Sequence, residues 1–67
     1  MKRLDLERHL RRHGAELARE GSRHSVWTIG AAEDERIAAV PRHREIKPWT
    51  ARAICNDLGI RPPAGSR

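Results

Sequence analysis

Sixty-seven residues make one domain with a thin core, because a chain this short buries only about 60% of the surface it exposes when unfolded. Fourteen Lys and Arg against nine Asp and Glu give a net charge of +5, which points to a polyanionic partner, and nucleic acid is the natural one. The single cysteine, Cys55, excludes an internal disulfide, and no apolar stretch approaches a signal segment or a membrane span. The chain therefore reads as cytoplasmic.

Only Lys2 and Lys47 among the fourteen basic residues are lysine. Arginine grips phosphate through a planar fork, which suits that partner; a GC-rich genome would enrich arginine without a functional reason. With two Trp and no Phe or Tyr, the core must be built from Leu, Ile, Val and Ala around one or both tryptophans.

The spacing predicts a first helix over residues 4–13. Leu6 and Leu10 share one face, His9 and His13 lie beside them, and Arg8, Arg11 and Arg12 fall toward solvent. Gly14 supplies the left-handed residue that commonly ends a helix. Residues 15–20 alternate weakly, with Leu17 the apolar member. Residues 24–29 alternate better: His24, Val26 and Thr28 share a face, and Trp27 and Ile29 take the other. Residues 30–35 suit a hairpin loop. A third strand over 36–40 ends at Pro41, which has no N–H to donate.

A second helix fits residues 48–58, with Pro48 in the first turn and Ala51, Ile54, Cys55 and Leu58 as its apolar stripe. Gly59 caps it, Ile60 folds back on the stripe, and Pro62 and Pro63 prevent continuation. The order helix, three strands, helix is an α+β two-layer domain with both helices on one face of the sheet. The domain spans residues 1–60, and 61–67 read as a flexible tail.

Histidines are the side chains whose ordinary pKa lies near neutrality. His9 and His13, four apart on a helix, have metal-ligand spacing but no paired third ligand, so they read as side chains edging the core and no metal is assigned. His43 sits in the basic run Arg42-His43-Arg44 and reads as a nucleic-acid contact. His24 is the most constrained. In Gly21-Ser22-Arg23-His24-Ser25-Val26-Trp27, a glycine-led turn delivers it to the root of a strand beside arginine, where an imidazole can move a proton next to a bound phosphate. Glu33, Asp34 and Glu35 read as a solvated turn. Cys55, on the apolar stripe, reads as inert.

These residues resemble the HicA-type toxins. The resemblance runs from Met1-Lys2-Arg3 to Leu58-Gly59-Ile60. It rests on the element order, on His24 three residues before Trp27, on the Val40-Pro41 strand end, and on Ile46-Lys47-Pro48-Trp49-Thr50 followed by Ile54 and Leu58. Such toxins are small bacterial mRNA interferases with a double-stranded-RNA-binding-like fold and one catalytic histidine, a role that carries over to His24.

The resemblance thus implies an endoribonuclease acting on mRNA without metal or other cofactor, neutralised by a HicB-type antitoxin. Arg23, Arg42, His43, Arg44 and Lys47 would bind RNA. Two departures stand out. Ser22 occupies the place where the family has glycine, with Gly21 one earlier, and Trp49 occupies the glycine of the family's Lys-Pro-Gly-Thr helix entry. Two rivals are a non-catalytic RNA-binding module and a small DNA-binding regulator acting with a partner. The strand-rich middle argues against a simple helix-turn-helix.

Overall fold

The computed structural model describes residues 1–63; of the expected tail, 61–67, the part from residue 64 onward lies outside the described residues. The elements follow in the order α1 (Arg3–Arg12), β1 (Glu16–Glu20), β2 (His24–Ile29), β3 (Arg36–Pro41) and α2 (Pro48–Leu58). The strands form one antiparallel sheet in the order β1-β2-β3, so β2 is central. This is the α+β, double-stranded-RNA-binding-like α-β-β-β-α arrangement.

Both helices end alike. Gly14 and Gly59 adopt φ of 89° and 71°, and the residue after each turns back: Ala15 N–H donates to Leu10 O (3.0 Å) and Ile60 N–H to Cys55 O (2.9 Å). That pairing satisfies carbonyls left open at a helix end and folds an apolar residue onto the last turn. Ala15 is buried, and Ile60 packs on the core.

The core lies between the helices and one face of the sheet. Leu6 and Leu10 from α1, and Ala51, Ile54, Cys55 and Leu58 from α2, meet Trp27 of β2 and Ala38 and Val40 of β3. Trp27 is the large anchor, fully buried, with its indole N–H donating to the buried Ser25 hydroxyl at 3.2 Å. Trp49, by contrast, is 63% exposed. In β2 the side chains alternate: Ser25 and Trp27 are buried, whereas His24 is exposed and Val26 and Thr28 half-buried on the opposite face. Pairing carries that outer face across the sheet, setting His24 opposite Pro41, Val26 opposite Ala39 and Thr28 opposite Ile37.

Three details lay beyond local pattern. A bulge between Leu17 and Arg19 breaks the β1 register, and every β1 residue is exposed, Leu17 at 40%. The loop between β2 and β3 contains a short 3₁₀ turn, Ala32–Asp34. Finally, the N-terminal segment pairs with the segment after β3: Ile46 N–H donates to Met1 O (2.7 Å) and Arg3 N–H to Arg44 O (3.0 Å). With Ile46 buried, this pins the basic run 42–47 to the start of α1.

Residues 61–63 stay against the domain. Arg61 O accepts a hydrogen bond from His9 Nε2 at 2.7 Å, and Pro63 is buried. Among the described residues no helix is long and apolar enough to cross a membrane.

Candidate active site

His24 opens β2 and stands opposite Pro41, the last residue of β3. The turn that delivers it is closed by the Gly21 N–H donating to His24 O at 2.9 Å. A Cβ at position 21 would lie 2.7 Å from that same oxygen, so the turn admits only glycine without moving the backbone that carries His24.

The two strand ends are held together from the other side by Arg42. Its backbone N–H donates to Arg23 O (3.0 Å), and its guanidinium donates to Gly21 O (3.0 Å) and pairs with Glu20 at 3.4 Å.

A groove lined by Ser22, Arg23, His24, Pro41, Arg42 and His43 results. Four of the residues singled out in the sequence, Arg23, His24, Arg42 and His43, thus meet around one concavity. Among the described residues the side chains of Arg23, His24 and His43 make no hydrogen bond or ion pair, whereas Arg42 is engaged. Arg44 and Lys47 sit outside this groove in its two neighbours. Arg44 shares one with Lys2, Arg3, Leu4 and Arg42. Lys47 lines the other with Pro41, His43, Trp49 and Thr50 among its walls. Arg42, and Pro41 with His43, are the common walls, so the three grooves form one belt, cationic except at Glu45, which lines the third and pairs with the N-terminal amine at 3.5 Å.

Two features of this belt escaped sequence reasoning. Arg42 is a clamp across a 21-residue separation, for which no local pattern exists. Lys2 and Arg3 join the belt only because the N-terminal segment pairs with the 44–46 segment.

The other histidines are occupied elsewhere. A carbonyl only accepts, so His9 donates from Nε2 to Arg61 O, and His13 donates from Nδ1 to His9 O (3.0 Å), the rings being 4.3 Å apart. Among the described residues no three His, Cys, Asp or Glu side chains converge as a metal site requires. Cys55 is fully buried, and burial pushes its thiol above the ordinary value, which removes it as a nucleophile.

With this geometry in place, the chain matches the family model described as HicA toxin of bacterial toxin-antitoxin over residues 4–60. The chain belongs to the HicA toxin family. The matched span takes in both helices, the whole sheet, His24 and the run 42–47. No curated protein and no solved structure matches the chain.

As a HicA-type toxin of a toxin–antitoxin system, the protein implies an antitoxin partner. The displaced glycine of the HicA turn also acquires a physical meaning. Gly21, not residue 22, makes the close approach to the His24 carbonyl, so Ser22 is accommodated.

Proposed function

We propose that this HicA-family toxin is an endoribonuclease that cleaves mRNA through proton transfer by His24, and that a HicB-type antitoxin neutralises it. The observation that carries the reading is the exposed, unpartnered His24 imidazole in a groove walled by Arg23, Arg42 and His43. RNA brings its own nucleophile, so one well-placed base beside cationic groups suffices to begin the reaction, with no metal required.

His24 accepts the proton of a ribose 2′-hydroxyl, and that oxygen attacks the adjacent phosphorus. Arg23 and Arg42 stabilise the extra negative charge of the phosphorane. The bond to the 5′-oxygen breaks, and that oxygen takes a proton as it leaves. The products are a 2′,3′-cyclic phosphate and a 5′-hydroxyl. One histidine serves one of the two proton transfers at a time. His43 is the other imidazole of the same groove, and we assign it the second.

Three groups support the binding role: Arg44, Lys47 and Lys2 extend positive charge to either side of the groove, as a phosphate backbone several nucleotides long requires, whereas Arg3 pairs with Glu7 at 3.6 Å. The antitoxin, covering the same belt, would exclude RNA by occupying it.

The test is induced expression of wild type and His24→Ala, scoring growth arrest and mRNA integrity, together with cleavage by the purified proteins. Removing a general acid–base group lowers the rate about 10²–10⁴-fold. Cleavage of RNA whose 2′-hydroxyls are all methylated, or full activity of His24→Ala, defeats the mechanism. RNA binding without cleavage by wild type would leave a non-catalytic RNA-binding module as the reading.

A further inference from the structure

Trp49 is a large aromatic side chain that the fold does not use. It is 63% exposed, stands outside the hydrophobic core cluster, and lies on the face of α2 opposite the buried stripe Ala51, Ile54, Cys55 and Leu58. Leu4 and Ile37 are about as exposed, so it is the setting of the indole rather than its exposure that points to a ligand. The surroundings are cationic and polar. The Lys47 ammonium lies 5.2 Å from the ring centroid, and Arg52 and Asn56 border the ring along α2.

Two grooves meet at this indole. One is shared with Arg52, Ala53 and Asn56. The other is shared with Lys47, Thr50, Pro41 and His43, and the last two also wall the groove of His24. A strand leaving the His24 groove past His43 therefore reaches Lys47 and then Trp49.

We infer that Trp49 is a nucleobase-stacking subsite: a base of the bound RNA strand, beyond the scissile phosphate on the His43 side, stacks on the exposed indole while Lys47 meets its phosphate. An aromatic face paired with cations, on a path continuous with a phosphate-binding groove, is the recognition chemistry of single-stranded nucleic acid. The ring's neighbours include Pro41, Ile46 and Ala53 as well as Lys47, Arg52 and Asn56; the flanking cations and the continuity with the His24 groove favour a nucleic-acid strand over a protein's apolar anchor. This subsite rests on the reading of the protein as an RNA-cleaving toxin, and it adds a contact to the strand rather than to the reacting atoms.

The test uses the full chain and a short mixed-sequence oligoribonucleotide with every 2′-hydroxyl methylated, which binds without being cut. Of the two tryptophans only Trp49 reaches solvent, so the emission change on titration reports it. Stacking quenches that emission. Affinities of wild type and variants are compared by the anisotropy of an end-labelled oligonucleotide, which does not depend on the indole: Trp49→Ala weakens binding about 5- to 140-fold, and Trp49→Phe, which keeps a ring, stays within a few-fold of wild type. An unchanged melting temperature in both variants excludes a folding defect.

If wild type and Trp49→Ala bind the oligonucleotide equally, the subsite is refuted while the RNA-cleaving reading stands. If wild type fails to bind the oligonucleotide and also leaves unmethylated RNA intact, both fall together. If RNA leaves the emission unchanged and the purified antitoxin quenches it, the ring belongs to the protein interface and the proposal is overturned.

Discussion

The Gly21 amide and the His24 carbonyl lie 2.9 Å apart, and that short bridge closes the turn from which the histidine projects. Because a methyl group at position 21 would meet the same oxygen at 2.7 Å, the glycine is required by close approach and not by an unusual φ. Gly21→Ala is therefore expected to shift the root of β2. It should cost on the order of 1–3 kcal/mol and lower the melting temperature by about 4–8 °C per kcal/mol. RNA cleavage should fall by more than the folded fraction does. Ser22→Gly, which touches neither atom, should leave cleavage within a few-fold. Thermal melts and single-turnover cleavage of the two variants check this.

Local pattern made the architecture readable here because both helices, β2 and β3 obey their own periods. The stripe Ala51, Ile54, Cys55 and Leu58 is buried as the helical spacing demands, and β2 occupies residues 24–29 with Trp27 and His24 on opposite faces. Helix ends were legible from Gly14 and Gly59 for the same reason. The site was legible only in part. His24 and the run 42–44 announced themselves by residue type, but their meeting depends on the β2–β3 register that sets His24 opposite Pro41. Nothing local encodes the Arg42 clamp on Gly21, the pairing of the N-terminal segment with residues 44–46, or the bulge in β1. Each is a contact between distant segments or an adjustment of the sheet twist. Nor did composition say which tryptophan would be buried; the alternation of β2 and the exposed first turn of α2 decided it.

Arg42 holds the turn with its fork and lends its charge to the groove, and the two roles separate by substitution. The contacts are exposed, so Arg42→Ala should cost less than about 1 kcal/mol of stability. Arg42→Lys keeps the charge but cannot reach Gly21 O and Glu20 with a planar fork. It should restore RNA affinity toward wild type while kcat stays depressed. Recovery of both by lysine would mean that Arg42 acts through charge alone.

The hydrogen bond from the Trp27 indole to Ser25 Oγ joins two fully buried side chains at the centre of the sheet. Ser25→Ala strands the indole N–H in the core and should destabilise the fold by about 1–3 kcal/mol. Trp27→Phe removes that donor, so the double variant should be more stable than the sum of the single losses predicts, by about 1 kcal/mol. Denaturant unfolding of the four proteins measures the coupling. Strict additivity would show that the bond contributes nothing.

Cys55 offers a pH test. Burial raises its thiol above the ordinary value of 9.0, so the fold holds the proton that the unfolded chain would release. The stabilising effect is complete below the ordinary thiol value and is lost as pH climbs toward the folded value. Wild type should therefore lose stability over that alkaline range more steeply than Cys55→Ala. At neutral pH an alkylating reagent should modify Cys55 at a rate set by unfolding, rising with added denaturant. Prompt labelling of the native protein would contradict the burial.

Arg44 and Lys47 flank the His24 groove from its two neighbours, and neither is ion-paired among the described residues. Each is free to neutralise a phosphate of a bound strand. For single-stranded RNA, every neutralised phosphate adds about 0.7 to the steepness with which log affinity falls against log salt. Arg44→Ala and Lys47→Ala should each reduce that slope by about 0.7, measured with the uncleavable oligonucleotide across a salt series. Trp49→Ala should lower affinity at every salt concentration while leaving the slope unchanged, because a stacked base releases no counterion. A slope change in the Trp49 variant equal to that of Lys47→Ala would show that the indole acts only by positioning the lysine.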